Sequence, residues 1–206
     1  MLLAIDTSAG TSVAVVDRDG GVLAERNEAD TMRHAEVIGD LIHGVLADAA
    51  VAPASLSGVV AGMGPGPFTG LRVGIAAAKA FAFGAGRPLV AVVSHDAVAY
   101  QRYEAGHTGS LLVVTDARRR ELYWSAYSGV DAHGLPVRDG APGLSRPDDV
   151  PHPLATRFDA AAVSAGALGM LAELRYANGI PMDADEPLYL RSPDVTLSHG
   201  PKRVTA

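Results

Sequence analysis

Four stretches of the chain carry residue types that could do chemistry. Asp6-Thr7-Ser8 closes an apolar run from Leu2 and sets a carboxylate beside two hydroxyls. That group could hold a metal-bound phosphate or fold back to cap its own turn, and an aspartate among Ser, Thr and Gly favours the turn. Gly64-Pro65-Gly66-Pro67-Phe68-Thr69-Gly70 joins a short apolar run (58–63) to a long one (70–84), the setting of a phosphate-binding loop. Pro65 and Pro67 each remove a backbone donor, however, and no Lys-Ser or Lys-Thr pair follows. The loop therefore reads as a rigid brace in which Pro fixes φ and Gly permits φ > 0, with Thr69 as N-cap of the helix behind it. Ser94-His95-Asp96 has the composition of a hydrolase triad, yet sequence neighbours cannot set a base between nucleophile and acid, so Ser94 is expected to cap a helix. Arg118-Arg119-Arg120 is the one dense basic run, a solvated turn or a contact for an anion or RNA.

Other chemistries lack their residues. The seven histidines contain no pair at i, i+3 or i, i+4, so no helical metal site is visible, and the chain has no cysteine for a thiolate, a disulfide or a thiolate-bound zinc. No Gly-x-Ser-x-Gly elbow occurs. His34 falls on the apolar side of a helix, where a packed or interface histidine is expected rather than a ligand. The residues point to binding more than to catalysis.

The elements that must position these groups follow from periodicity. Residues 2–7, 11–17 and 22–27, joined by Gly turns, predict an antiparallel meander. Thr31 to Ala50 predicts an amphipathic helix whose stripe includes Ile38 and Leu41, with Gly39 and Gly44 on its flanks. The helix from Gly70 to Gly84 is apolar nearly all round. Leu71, Ile75 and Ala78 form one stripe, Gly70 and Gly74 another, and only the line of Arg72 and Lys79 carries charge. Its small residues predict close packing against the first helix and against a second subunit. After a strand at 88–93 and a helix to about Tyr103, the beginning repeats: Leu111 to Asp116 echoes Leu2 to Asp6, 122–128 stands where 11–17 stood, and 134–138 where 21–25 stood. The second copy is poorer. Residues 140–153 are proline-rich without pattern, 159–177 reads as helix, and the tail from Ser192 reads as loose. The expected division is an amino-terminal lobe at 1–105 and a smaller one at 106–206.

With 48% hydrophobic but only 5% aromatic residues, 206 residues suffice for a core of Ala, Val and Leu. A net charge of −6 argues against a protein whose main surface grips nucleic acid. MLLAIDTS lacks a basic leader, and the run 73–85 is too short for a membrane span, so a soluble cytoplasmic protein is expected.

Taken in order, Leu3-Ala4-Ile5-Asp6-Thr7-Ser8, the central GPGPFTGLRVG, Val93-Ser94, Asp116-Ala117-Arg118-Arg119 with Glu121 and Tyr123, and Pro187-Leu188-Tyr189-Leu190-Arg191 resemble the TsaB (YeaZ) family across almost the whole chain. The resemblance implies an α/β fold of the actin-like ATPase superfamily, with two duplicated lobes and the second reduced. It implies a non-catalytic partner of a larger TsaD-type subunit that transfers a threonylcarbamoyl group to adenosine 37 of ANN-decoding tRNAs. Docking would run through the helices at 31–50 and 70–84, so the implied partner-binding set is Gly64, Pro65, Gly66, Phe68 to Arg72, Gly74, Ala78 and Lys79 with His34, Ile38 and Leu41. A small ATPase subunit would join the pair, tRNA would be met indirectly, and ATP would be used by the complex without being held tightly by this chain. A symmetric homodimer is expected when the partner is missing. Asp6 and Thr7 are what remains of the superfamily's nucleotide site, and Arg118 and Arg119 are candidate anion contacts. The competing reading is an enzyme of the same fold, a phosphotransferase using Asp6 or a peptidase.

Overall fold

Strand β1 (Leu2–Asp6) is buried along its whole length because both faces of its sheet are covered, which is why it reads as a continuous apolar run. The computed structural model describes residues 1–191, so the tail expected from Ser192 lies outside the described residues. β2 (Thr11–Asp17) and β3 (Gly21–Glu28) complete the expected antiparallel meander, while β4 (Gly58–Gly62) and β5 (Leu89–Val92) add in parallel on the other side. The order is β3-β2-β1-β4-β5. Helices α1 (His34–Asp48) and α2 (Phe68–Ala85) follow β3 and β4, and α3 (Ser94–Glu104) follows β5.

The second sheet repeats this pattern. β6 (Leu111–Asp116), β7 (Leu122–Val130) and β8 (Pro136–Arg138) form an antiparallel meander, and β10 (Thr156–Asp159) lies parallel to β6, as β4 lies parallel to β1. Where α1 stands in the first copy, the second has only the short strand β9 (Gly143–Ser145), paired to β7, and a single 3-10 turn. α4 (Ala165–Ala177) closes the described fold.

Alternation on the strands builds two cores. Leu3 and Ile5 of β1, with Val13, Val15, Val59 and Ala61, pack under α1 and α2. Leu2 and Ala4, with Ala14, Val16, Val60 and Val92, face α3, α4 and the inner side of the second sheet. The chain halves therefore interlock: α4 lies on β1, β2 and β3, and α3 lies against β6, β7 and β8. Gly169 permits this approach, since a Cβ there would stand 2.7 Å from Val16.

Several sequence expectations need correction. Pro67, extended at φ −60 and ψ 135, is the N-cap of α2, and its carbonyl accepts the first helical bond from Leu71. Thr69 is thus already inside the helix. Ser94 is not a cap either; Val93 holds that position and the serine hydroxyl turns inward. The helix expected from 159 begins at Ala165, where the Ser164 hydroxyl accepts from the Ala167 N–H, because 156–159 is used as a strand. The patternless stretch 140–153 contains β9, too short to show alternation.

A strand-end hub and a cationic cleft

The turn after β1 is an Asx turn. The Ser8 N–H and hydroxyl donate to Asp6 Oδ1 at 2.8 and 2.5 Å, and the Ser94 hydroxyl donates to Oδ2 at 2.5 Å while accepting the Gly64 N–H at 2.9 Å. One carboxylate therefore ties together β1, the Gly-Pro loop and α3. Asp6 is 1% exposed, and burial pushes its pKa above the usual carboxylate range against hydrogen bonds that partly offset the shift. Gly62 must lack a side chain, since a Cβ would collide with this carboxylate. The Thr7 hydroxyl donates to the Gly70 carbonyl at 2.7 Å, and its side chain fills the space a Cβ on Gly74 would need. Asp6 and Thr7, expected as the remnant of a nucleotide site, are sealed inside the fold with their polar atoms spent on protein.

The implied partner-binding set divides by burial. Gly64, Pro65, Gly66, Gly70, Leu71, Gly74, Ala78, His34 and Ile38 are buried and offer little surface of their own. The helix glycines do not serve helix–helix packing in the way expected. Gly74 faces Thr7, Gly44 faces the Arg26 guanidinium, and only Gly70 brings the two helices together, its missing Cβ leaving room for Thr7 O and for the His34 ring. His34 Nδ1 pairs with the Thr11 hydroxyl at 2.7 Å, and burial lowers its pKa. Phe68 and Leu41 are half-buried, and Thr69, Arg72 and Lys79 are exposed, Lys79 paired with Asp185 at 2.8 Å.

Ser94, His95 and Asp96 point three ways. Both ring nitrogens of His95 meet hydroxyls of the second sheet, Ser125 at 2.8 Å and Thr115 at 2.9 Å, and burial lowers its pKa to about 3. Asp96 accepts from Tyr127 (2.8 Å), Arg138 (2.7 Å) and Arg175 (2.9 Å), and Arg175 goes on to Asp183 at 2.6 Å. This buried ionic network, which nothing in the spacing announced, anchors a final segment. Asp183 takes the Val93 N–H, Leu188 N–H donates to Met63 O, and Arg191 pairs with Glu121.

That segment brings the weaker family motifs to the central loop. Tyr189 packs on Phe68 with ring centroids 4.7 Å apart, and the Arg72 guanidinium lies 3.7 Å over Phe68. Beside them opens a cleft of about 460 Å³ whose far wall is the β6–β7 turn, with Arg118 and Arg119. Arg118, Arg119 and Arg120 all hold left-handed backbone, φ 63, 54 and 61. Each costs roughly 1–2 kcal/mol. The turn is held by the Arg118 N–H on Asp116 Oδ1 (2.9 Å) and by paired bonds between Ala117 or Arg118 and Glu121. The candidate anion contacts are thus brought together with Tyr189 and Arg191, which the sequence supplied only as motif matches.

Two mixed sheets built on one repeated plan, with the strand-end carboxylate of the first sealed within the fold, define an internally duplicated α/β fold. The family described as "TsaD: tRNA N6-adenosine threonylcarbamoyltransferase" matches residues 7–135, well over half the chain. The chain belongs to this family, on its TsaB (YeaZ) branch. It is 39% identical over 203 residues to an uncharacterized protein of Mycobacterium tuberculosis, covering 94% of this chain and 92% of that one. It is 34% identical over 125 residues to the tRNA threonylcarbamoyladenosine biosynthesis protein TsaB of Haemophilus influenzae, 60% of this chain and 52% of that protein. The solved YeaZ from Pseudomonas aeruginosa superposes with TM-score 0.76 at 26% identity, covering 92% of this chain and 99% of that one. Among the described residues no helix is long and apolar enough to cross a membrane, and no group of three or more His, Cys, Asp or Glu could hold a metal.

Proposed function

We propose that this chain is a non-catalytic scaffold and activating subunit in tRNA threonylcarbamoyladenosine biosynthesis, heterodimerising with a catalytic TsaD-type subunit that modifies N6 of adenosine 37. The observation that carries the reading is the outward face of α1 and α2. Phe83 of α2 is 90% exposed, Ala35, Ala76 and Ala80 lie open, a Cβ added to Gly39 would touch nothing, and Met32, in the turn just before α1, is 85% exposed. Small and apolar residues spread over two adjacent helices form a surface that another helix pair can approach closely. A cytoplasmic setting, a small ATPase subunit joining the pair and ATP use by the complex follow from the same reading. In isolation the same face would close a symmetric homodimer.

The test is light-scattering chromatography of this chain mixed with its cognate catalytic subunit. A stoichiometric heterodimer is expected for wild type, and its loss in Phe83→Asp or Ala76→Arg with thermal unfolding unchanged. Gly74 and Ala78 of the implied partner-binding set are unsuited to this test, because they are buried and substitutions there would damage the core. Co-elution of both variants at wild-type affinity would overturn the docking assignment.

A further inference from the structure

A second hollow opens at the opposite end of the first sheet from the strand-end hub. Leu2 and Gly58, the first residues of β1 and β4, line it, whereas Asp6 and Gly62 end the same two strands in the hub. Pro88 bounds it before β5, and Tyr176 of α4 and Met182 of the final segment complete a largely apolar lining. A Cβ on Gly58 would stand 3.2 Å from Leu2 and 3.5 Å from the Pro88 carbonyl, so the bare glycine helps keep the hollow open. Its volume of about 370 Å³ is that of a small-molecule site. The charges at its edge are few and unequal. Glu173 keeps only 12% of its side chain exposed and accepts no hydrogen bond, and its one ionic neighbour is the Met1 amine at 3.8 Å, which Asp17 shares at the same distance. Arg18 lines the same hollow but stands in solvent without an ion pair. A charge withdrawn from water acts more strongly than one immersed in it, so the carboxylate rather than the guanidinium sets the sign of the ligand. Lone pairs left unused beside an apolar hollow call for a donor. The Tyr176 ring, 77% exposed, offers a face to a cation and to an apolar body alike. A hydrated metal ion would leave the apolar lining unused, and an anion would face Glu173.

We propose that this hollow binds a small organic amine with an apolar body, its ammonium held by Glu173 and its body against Tyr176 and Met182. The site shares no residue with the cationic cleft or with the outward face of α1 and α2.

The experiment is a saturation-transfer NMR titration of the whole chain near neutral pH with three probes of similar shape: phenethylamine, the neutral phenethyl alcohol and the anionic phenylpropionate. The amine is expected to bind most tightly, the alcohol about tenfold more weakly, and the anion more weakly still. In Glu173→Gln the amine should fall to the level of the alcohol, whose own binding stays as in wild type, a selective loss that general damage to the hollow would not produce. Tyr176→Ala, at an exposed position, should weaken all three probes. If the amine does not bind, if the anion binds as tightly, or if either folded variant holds the amine as wild type does, the proposal is wrong. Should Glu173→Gln fail to fold, the ranking of the three probes on wild type and their loss in Tyr176→Ala carry the same expectation. Because the chain is assayed alone, the outcome stands whether or not chromatography yields a heterodimer.

Discussion

Strands β1 and β6 end in the same way and then part. Asp6 accepts the N–H of Ser8 at 2.8 Å, and Asp116 accepts the N–H of Arg118 at 2.9 Å, so the duplication extends to a single hydrogen bond. In the first copy the Gly64 loop and Ser94 close over the carboxylate, leaving it 1% exposed. In the second, β10 runs directly into Ala160 and Asp116 stays open, its side chain 68% exposed. One copy of the turn has become a knot inside the fold, and the other presents arginines to a cleft. The elements that follow the parallel strand, rather than the turn itself, decide which.

The comparison breaks most directly at the two aspartates. Asp6→Ala strands the Ser94 hydroxyl and two donors of Ser8 in a buried site, and should cost about 3–5 kcal/mol of unfolding free energy. Asp116→Ala removes one exposed bond and should cost less than about 1 kcal/mol. Chemical denaturation of both variants measures the pair, and equal losses would mean that burial does not separate the two turns.

This contrast also marks how far the sequence could be read. The meanders, the Gly-Pro brace and the duplication are local or periodic, and they are visible in residues 2–27 and 111–138. The interlocking of α3 and α4 with the opposite sheets is not, because it depends on which face of each helix is small, and Gly166 and Gly169 sit among residues of no clear period. Asp6 was legible as a turn residue, whereas its bond to Ser94, 88 positions away, was not. For the same reason the spacing does not reveal that Gly74 is covered by Thr7 and Ala78 by the core beneath α2. An all-round apolar helix reports that it is covered, not by what.

His95 offers a sharper test, because it bonds the first copy's α3 to Thr115 and Ser125 of the second. Burial, with Arg138 nearby, holds its folded pKa at about 3, well below the ordinary value of 6.5. The folded imidazole stays neutral while the unfolded one takes up a proton, so its contribution is full above pH 6.5 and is lost as pH falls toward 3. The slope is about 1.4 kcal/mol per pH unit, near 2 kcal/mol at pH 5. Asp6 and Asp96, whose pKa values burial raises, act in the opposite sense where they titrate. Comparing wild type with His95→Gln isolates the histidine: the stability difference should shrink by that slope below pH 6.5. A difference constant from pH 7.5 to 5 would mean that the ring is protonated within the fold.

The smallest effect concerns how each turn meets its backbone. The first copy places Gly10 at φ +90, where an added Cβ would stand 3.0 Å from the Glu28 carbonyl, so Gly10→Ala should cost about 1–2 kcal/mol. The second copy puts arginines in the left-handed region. Arg120→Gly relieves roughly 1–2 kcal/mol of that conformation and loses about 0.5–1 kcal/mol to the freer unfolded chain, so a net gain of about 0.5–1 kcal/mol is expected. Thermal unfolding of the two variants should therefore move in opposite directions. A turn that is more stable without its arginine carries that residue for something other than folding. If Arg120→Gly instead lowers the midpoint, the arginine side chains hold the turn together and its charge is structural.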